Sequence, residues 1–153
     1  MAKPTHQKII CSNKKAYRNF SIIEKFEAGI SLVGTEVKAL REGRGSLNEA
    51  FARIHGNEIF LENFHISPYS HGNVHNHDPL RPKKLLLHKY EIRRLIGKVT
   101  QKGLTLVPLK AYFSRGKVKI ELALAQGKKL HDKREDLKQK AVKRDTEREF
   151  RGR

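Results

Sequence analysis

At 153 residues the chain supports one well-cored domain and is too short for two. Only 37% of residues are hydrophobic and 32% are charged, so part of the chain must stay outside the core. A net charge of +17 repels itself in a compact state unless a polyanion offsets it, which makes nucleic acid the first partner to consider.

No apolar run approaches the roughly 20 residues that span a bilayer, so no membrane partner is expected. The opening MAKPTHQKII has no signal-peptide core, and a single cysteine, Cys11, excludes an internal disulfide. Both features suit a cytoplasmic protein.

In chain order, Asn13-Lys14-Lys15-Ala16-Tyr17-Arg18 combines cations, an amide and an aromatic ring, equipment for gripping an RNA backbone and stacking a base. Phe20–Leu32 reads as a long strand whose imperfect alternation suits a bend around a barrel. A helix follows with Thr35 as N-cap, carrying Val37 and Leu40 before Gly43 and Gly45 stop it. Ser46-Leu47-Asn48-Glu49 has the capping-box pattern of another helix start, although a strand follows closely. Ala52–His55 and Glu58–Leu61 flank Gly56-Asn57 as a hairpin.

From His88 to Lys102, Ile92, Leu95, Ile96 and Val99 form a helical stripe that Gly103 terminates. Leu104–Phe113 and Lys117–Ala125 are strands joined at Ser114-Arg115-Gly116. Pro108 demands a free edge or a bulge in the first of them, because it cannot donate a ladder hydrogen bond. The whole is mainly β with a few helices, and a closed antiparallel barrel is the expected way to remove the strand edges.

Two units are expected: a folded domain over 1–126 and a basic tail over 127–153. The first holds 22 basic and 10 acidic side chains, the second 11 and 6. Beyond Leu137 only Ala141, Val142 and Phe150 are apolar, too few to offset the entropy of ordering the segment, so the tail is expected to be disordered alone. Asp136–Lys140 and Glu147–Arg151 nevertheless place the acid four residues ahead of the base, which supports a helix once a partner is bound.

Between Arg81 and Lys102 stand eight basic residues and one acid, Glu91, a balance that points to phosphate contact. His71, His75, His77 and Asp78 superficially resemble a metal site, but their loop offers no fixed scaffold. Histidines that meet RNA bases are the preferred reading there. Catalytic patterns are missing; Glu24 and Glu27 fall on opposite faces of one strand and cannot flank a common bond. No cofactor, metal or small-molecule substrate is expected. On charge and strand pattern alone, a general basic RNA-binding or ribosomal barrel protein is an alternative reading.

Several runs narrow this choice: Asn13-Lys14-Lys15-Ala16, Phe26-Glu27-Ala28-Gly29-Ile30, Gly34-Thr35-Glu36-Val37-Lys38-Ala39-Leu40-Arg41, Asp78-Pro79, Lys84-Leu85-Leu86-Leu87, Val107-Pro108-Leu109, Gly127-Lys128-Lys129 and Asp132-Lys133-Arg134. In this order they closely resemble the SsrA-binding protein family, also called small protein B. The resemblance covers nearly the whole chain. It implies an OB-fold-like barrel with flanking helices that grips the tRNA-like domain of transfer-messenger RNA and delivers it to stalled ribosomes for trans-translation.

The resemblance further implies RNA contacts at Asn13, Lys14, Glu27, Glu36, Lys38, Arg41, Arg81, Lys83, Lys84 and Leu86. Of these, Glu27 would either accept from base or ribose donors or, the preferred reading, hold Asn13 and nearby backbone N–H groups in place. Tail positions Gly127, Lys128, Lys129, His131, Asp132, Lys133 and Arg134 would act in the small-subunit decoding centre and the empty mRNA channel. The chain departs from the family at Arg81-Pro82-Lys83, where a second arginine is usual, and at the N-cap His88, where asparagine is common.

Overall fold

A computed structural model describes residues 7–70, 76–128 and 130–151. Thirteen elements follow one another among them: β1 (Gln7–Ser12), α1 (Lys14–Asn19), β2 (Phe20–Ile30), α2 (Gly34–Arg41), β3 (Gly45–Ser46), β4 (Phe51–His55), β5 (Glu58–Glu62), β6 (His65–Ile66), β7 (Lys83–Leu86), α3 (Lys89–Lys102), β8 (Thr105–Ser114), β9 (Lys117–Gly127) and α4 (Leu130–Arg151). Seven strands form one sheet in the order β1-β8-β9-β2-β7-β5-β4, antiparallel at every pairing, and β3 pairs with β6 as a separate ribbon.

The expected barrel is not closed. The sheet curls until β4 lies over β8, yet β1 and β4 remain its two edges. Closure would require a hydrogen-bonded ladder between these edges, and both are built against one. A register shift between Ile9 and Cys11 bends β1, and β4 turns Arg53 and His55 outward.

Alternation in β9 explains the core. Val118, Ile120, Leu122 and Leu124 point into the main cluster with Ile59, Leu61, Phe64, Leu85 and Leu95. Each fully buried aliphatic or aromatic side chain contributes about 1.5–3 kcal/mol. On the opposite face Ala123 and Ala125 pack with Ala16, Val107 and Leu109 beneath α1. The C-terminal half of the strand is thus covered on both sides.

The Pro108 expectation resolves as a bulge. The β8–β9 register shifts between Pro108 and Lys110, and β1 pairing stops at Lys110. Asn13 then takes over, its backbone N–H donating to Leu109 O at 2.7 Å and its Nδ2 to Pro108 O at 3.1 Å. The β8–β9 turn holds Arg115 at φ 53° and Gly116 at φ 75°, the left-handed pair that matches the twist of a tight hairpin.

One helix boundary differs from expectation. Helix α2 starts ahead of Thr35 because Glu36, its third residue, reaches back to the Val33 N–H at 2.9 Å. The Ser46–Glu49 signal starts no helix: Ser46 pairs in β3, its hydroxyl accepts from the Asn48 N–H, and Glu49 meets Lys15. Helix α3 matches its predicted span, with Leu95 fully buried and Gly103 at φ 63° ending it.

The tail, expected to be disordered alone, is helical in the structure, and its side chains from Leu137 to Glu147 are exposed. Over that stretch its support is local, from favourable propensity and acid-before-base spacing.

Candidate nucleic-acid interface

Parity in the four-residue strand β7 sets the geometry of the site. Lys83 and Leu85 point inward, whereas Lys84 and Leu86 point outward. Outward, they line a groove of about 770 Å³ together with Glu27 and Gly29 of β2, Lys119 of β9, and His88, Lys89 and Arg93 at the start of α3. Gly29 pairs directly with Leu86, and a Cβ on Gly29 would sit 3.2 Å from the Leu86 Cβ. The bare glycine leaves room for Leu86, which is 50% exposed on the groove wall.

Lys119 also lines a second depression, of about 390 Å³, with Arg115 and Lys117. The two depressions share Lys119 and Glu27, and Glu58 and Glu91 stand with the cations in the larger one.

Ion pairs neutralise part of the surface, although Lys8, Lys14, Arg18, Lys38 and Arg41, outside the groove, likewise lack an acid partner among the described residues. Elsewhere, Lys25 and Lys110 share Glu121, Arg53 meets Glu62, Arg44 meets Glu42, and Arg94 and Lys98 both engage Glu24. The Arg94 hydrogen bond holds the Glu24 carboxyl below its usual pKa. Among the described residues, Lys89, Arg93, Arg115, Lys117 and Lys119 have no such acid partner. Lys84 makes a half-exposed pair with Glu58 at 3.1 Å, of a kind easily exchanged for phosphate.

Glu27 sits within this cationic surface. Its Oε2 accepts from the Tyr112 hydroxyl at 2.5 Å, and burial together with this carboxylate pushes the tyrosine pKa up. The expected role of holding Asn13 is corrected: Glu27 is fixed from beneath by Tyr112, while Asn13 is spent on the Pro108 bulge and is 5% exposed.

A second group of predicted contacts gathers at α2. Glu36 is fully buried, takes Arg81 Nη2 at 2.5 Å, and lies 3.6 Å from Lys83 Nζ. Lys83 is also fully buried and donates to Phe64 O and Arg81 O, at 2.9 and 2.7 Å. Burial lowers its pKa even though Glu36 opposes the shift. The expectation that Lys83 touches phosphate is thereby corrected, because its charge is consumed inside the fold. Glu36 is likewise internal. Arg81 remains partly exposed, but its terminal nitrogens already serve Glu36, Ser31 O and Pro82 O. Lys38 lies over the Tyr69 ring at 5.6 Å, and Arg41 is exposed nearby. Lys14 is exposed at a third place, the start of α1.

Of the tail positions, Lys128 donates from its backbone N–H to Asn19 O and from Nζ to Tyr17 O. Arg134 is exposed on α4, and Lys129 lies outside the described residues.

The loop histidines divide similarly. His71 and His75 lie outside the described residues. His77 is 9% exposed, with Nδ1 2.9 Å from Thr35 Oγ1 and Nε2 2.8 Å from Ile66 O, so it straps its loop to α2 and cannot stack on a base. Asp78 accepts from the Leu80 N–H in a local turn. Among the described residues no group of three or more histidine, cysteine or acidic side chains converges as a metal site, and no helix is long and apolar enough to cross a membrane.

The candidate surface also includes Arg115, Lys117 and Lys119, which the sequence did not single out as contacts. Their signal was present in the polar face of Lys117–Ala125, where Lys117 and Lys119 alternate with core residues.

The sequence profile of the SmpB protein family matches residues 10–152. An SsrA-binding protein from Syntrophobacter fumaroxidans (strain DSM 10017 / MPOB) is 60% identical over 92% of this chain and 88% of its own length. Another, from Caldanaerobacter subterraneus subsp. tengcongensis, is 56% identical over 94% of this chain and 90% of its own. A solved chain described as "tmRNA-SmpB: a journey to the center of the bacterial ribosome" superposes with a TM-score of 0.65 at 55% identity, covering 78% of this chain and 85% of that one.

Proposed function

Since the chain belongs to the SmpB protein family, an RNA-binding family and not one of enzymes, we propose that it binds transfer-messenger RNA and brings it to stalled ribosomes. The observation that carries this reading is the gathering of cations along an open groove. Lys84, Lys89, Arg93 and Lys119 line the groove, with Glu27, Glu58 and Glu91 among them, and Lys119, Lys117 and Arg115 line the depression beside it. Such a groove follows a phosphate backbone, and Leu86 between the cations offers an apolar surface to a sugar or base.

A preformed sheet suits recognition of a folded RNA by shape. Glu27, clamped by Tyr112, keeps one fixed acceptor among the cations for a base or ribose donor. Lys14, Lys38 and Arg41 supply further exposed positive charge, whereas Asn13, Glu36, Arg81 and Lys83 support the grip from within.

In the same reading the tail, from Gly127 through Lys128, Lys129, His131, Asp132, Lys133 and Arg134, acts in the decoding centre and the empty mRNA channel. A polar helix with Leu137 52% and Val142 66% exposed finds little packing on its own domain, and a confined anionic passage would stabilise it through phosphate contacts.

The test compares full-length protein bound to the tRNA-like domain of transfer-messenger RNA and to an unrelated structured RNA of equal length, at two salt concentrations. Selective binding is expected; equal affinities and equal salt slopes would instead mark a general basic RNA binder. Removing residues 127–153 is expected to leave RNA affinity largely intact and to abolish tagging of stalled products. Loss of binding on truncation would refute that separation of grip from ribosome action.

A further inference from the structure

His88 lies on the groove wall immediately before α3, and its ring lies parallel to that of Tyr90, with centroids 5.4 Å apart and planes 9° from each other. Tyr90 is 70% exposed. Core packing does not account for it: the buried stripe of α3 runs through Ile92, Leu95, Ile96 and Val99, and Tyr90 lies on the other side of the helix.

A ring this open keeps one face available, while the stack on His88 restrains its orientation. The surroundings select the occupant. In the adjoining groove Lys84, Lys89, Arg93 and Lys119 outnumber Glu27, Glu58 and Glu91, so it favours a planar group that a polyanion carries. Every nucleobase has a face that stacks on an aromatic ring, and the geometry requires no particular sequence.

We infer that Tyr90, backed by His88, is a stacking platform for one unpaired base of the RNA whose phosphates follow Lys84, Lys89 and Arg93. The inference rests on the RNA-binding reading and adds a base contact to it. The base leaves its own stack, lies parallel to the tyrosine, and anchors the strand at the end of the groove nearest α3. Because the contact is uncharged, it acts on affinity without releasing counterions.

The experiment measures binding of the transcribed tRNA-like domain to full-length wild type, Tyr90→Ala and Tyr90→Phe at several salt concentrations. Tyr90→Ala is expected to weaken binding roughly tenfold, within the range set by base–aromatic stacking, and to leave the salt slope unchanged. Tyr90→Phe should bind within about twofold of wild type, since the ring and not the hydroxyl carries the contact.

The platform is refuted if Tyr90→Ala binds like wild type, if its slope falls by the 0.7 to 0.9 or so expected of a lost phosphate contact, or if Tyr90→Phe is as weak as Tyr90→Ala. Circular dichroism should show all three proteins folded, given the exposure of the side chain. If wild type shows no preference for this RNA over the structured control, the functional reading fails. If it keeps that preference and Tyr90→Ala matches it, only the platform fails.

Discussion

The inward and outward faces of β7 carry one lysine and one leucine each, and they do different work. Inside, Leu85 completes the core and Lys83 binds two carbonyl groups beside the Glu36–Arg81 pair. Outside, Leu86 and Lys84 remain available on the groove. Residue type alone therefore says little about function here. What differs is hydration: a desolvated ammonium must be fully partnered by the fold, whereas a hydrated one is free to trade its acid for phosphate.

The largest effect should come from breaking the inner arrangement. Lys83→Ala leaves buried Glu36 with Arg81 as its one cation and strips the Phe64 carbonyl of its donor, so a loss of about 3 kcal/mol in urea unfolding is expected. RNA bound by the folded fraction should keep its salt slope. A stable variant with a lower slope would return Lys83 to the RNA contacts.

Lys84→Ala sharpens the contrast from the other side. Its pair with Glu58 is half-exposed, so stability should change by less than about 1 kcal/mol. Affinity should fall, with a slope lower by about 0.7 to 0.9. An unchanged slope would remove Lys84 from the contact surface.

The smallest effect belongs to Glu24→Gln, on the neutralised side of α3. The Glu24 carboxyl is held below its usual 4.5 by Arg94, so the native state favours the ionised form. That contribution is present above pH 4.5 and is lost as acid protonates the group. The exposed pair should hardly move the neutral-pH urea midpoint, and the variant should lose less than wild type on acidification. It should also bind every RNA slightly more tightly, because Arg94 and Lys98 are released. A gain confined to the tRNA-like domain would place them on the specific surface.

Much of this arrangement was legible in the residues. The helical stripe of α3, the β8–β9 hairpin and the Pro108 bulge each follow from periodicity or from a missing donor. Even the burial of Lys83 could be read, since a strand that buries Leu85 must turn positions 83 and 85 the same way. The resemblance to a family transferred the charge but not the face.

Other features were not legible because their causes are distant in sequence. Tyr112 and Glu27 meet across 85 residues, and His77 finds Thr35 across 42. Whether a curled sheet closes depends on where its first and fourth strands end in space, which no local pattern encodes. The Ser46 signal lost to a strand pairing with His65.

Arg115 carries a final consequence. Any residue with a Cβ is disfavoured in the left-handed region by roughly 1 kcal/mol or more, and this arginine occupies it at the tip of a hairpin. Selection for heat tolerance alone would replace it with glycine or asparagine. On the proposed reading, in which Arg115 meets RNA, selection for RNA binding would keep the cation, so laboratory evolution under the two pressures should part ways at this one codon.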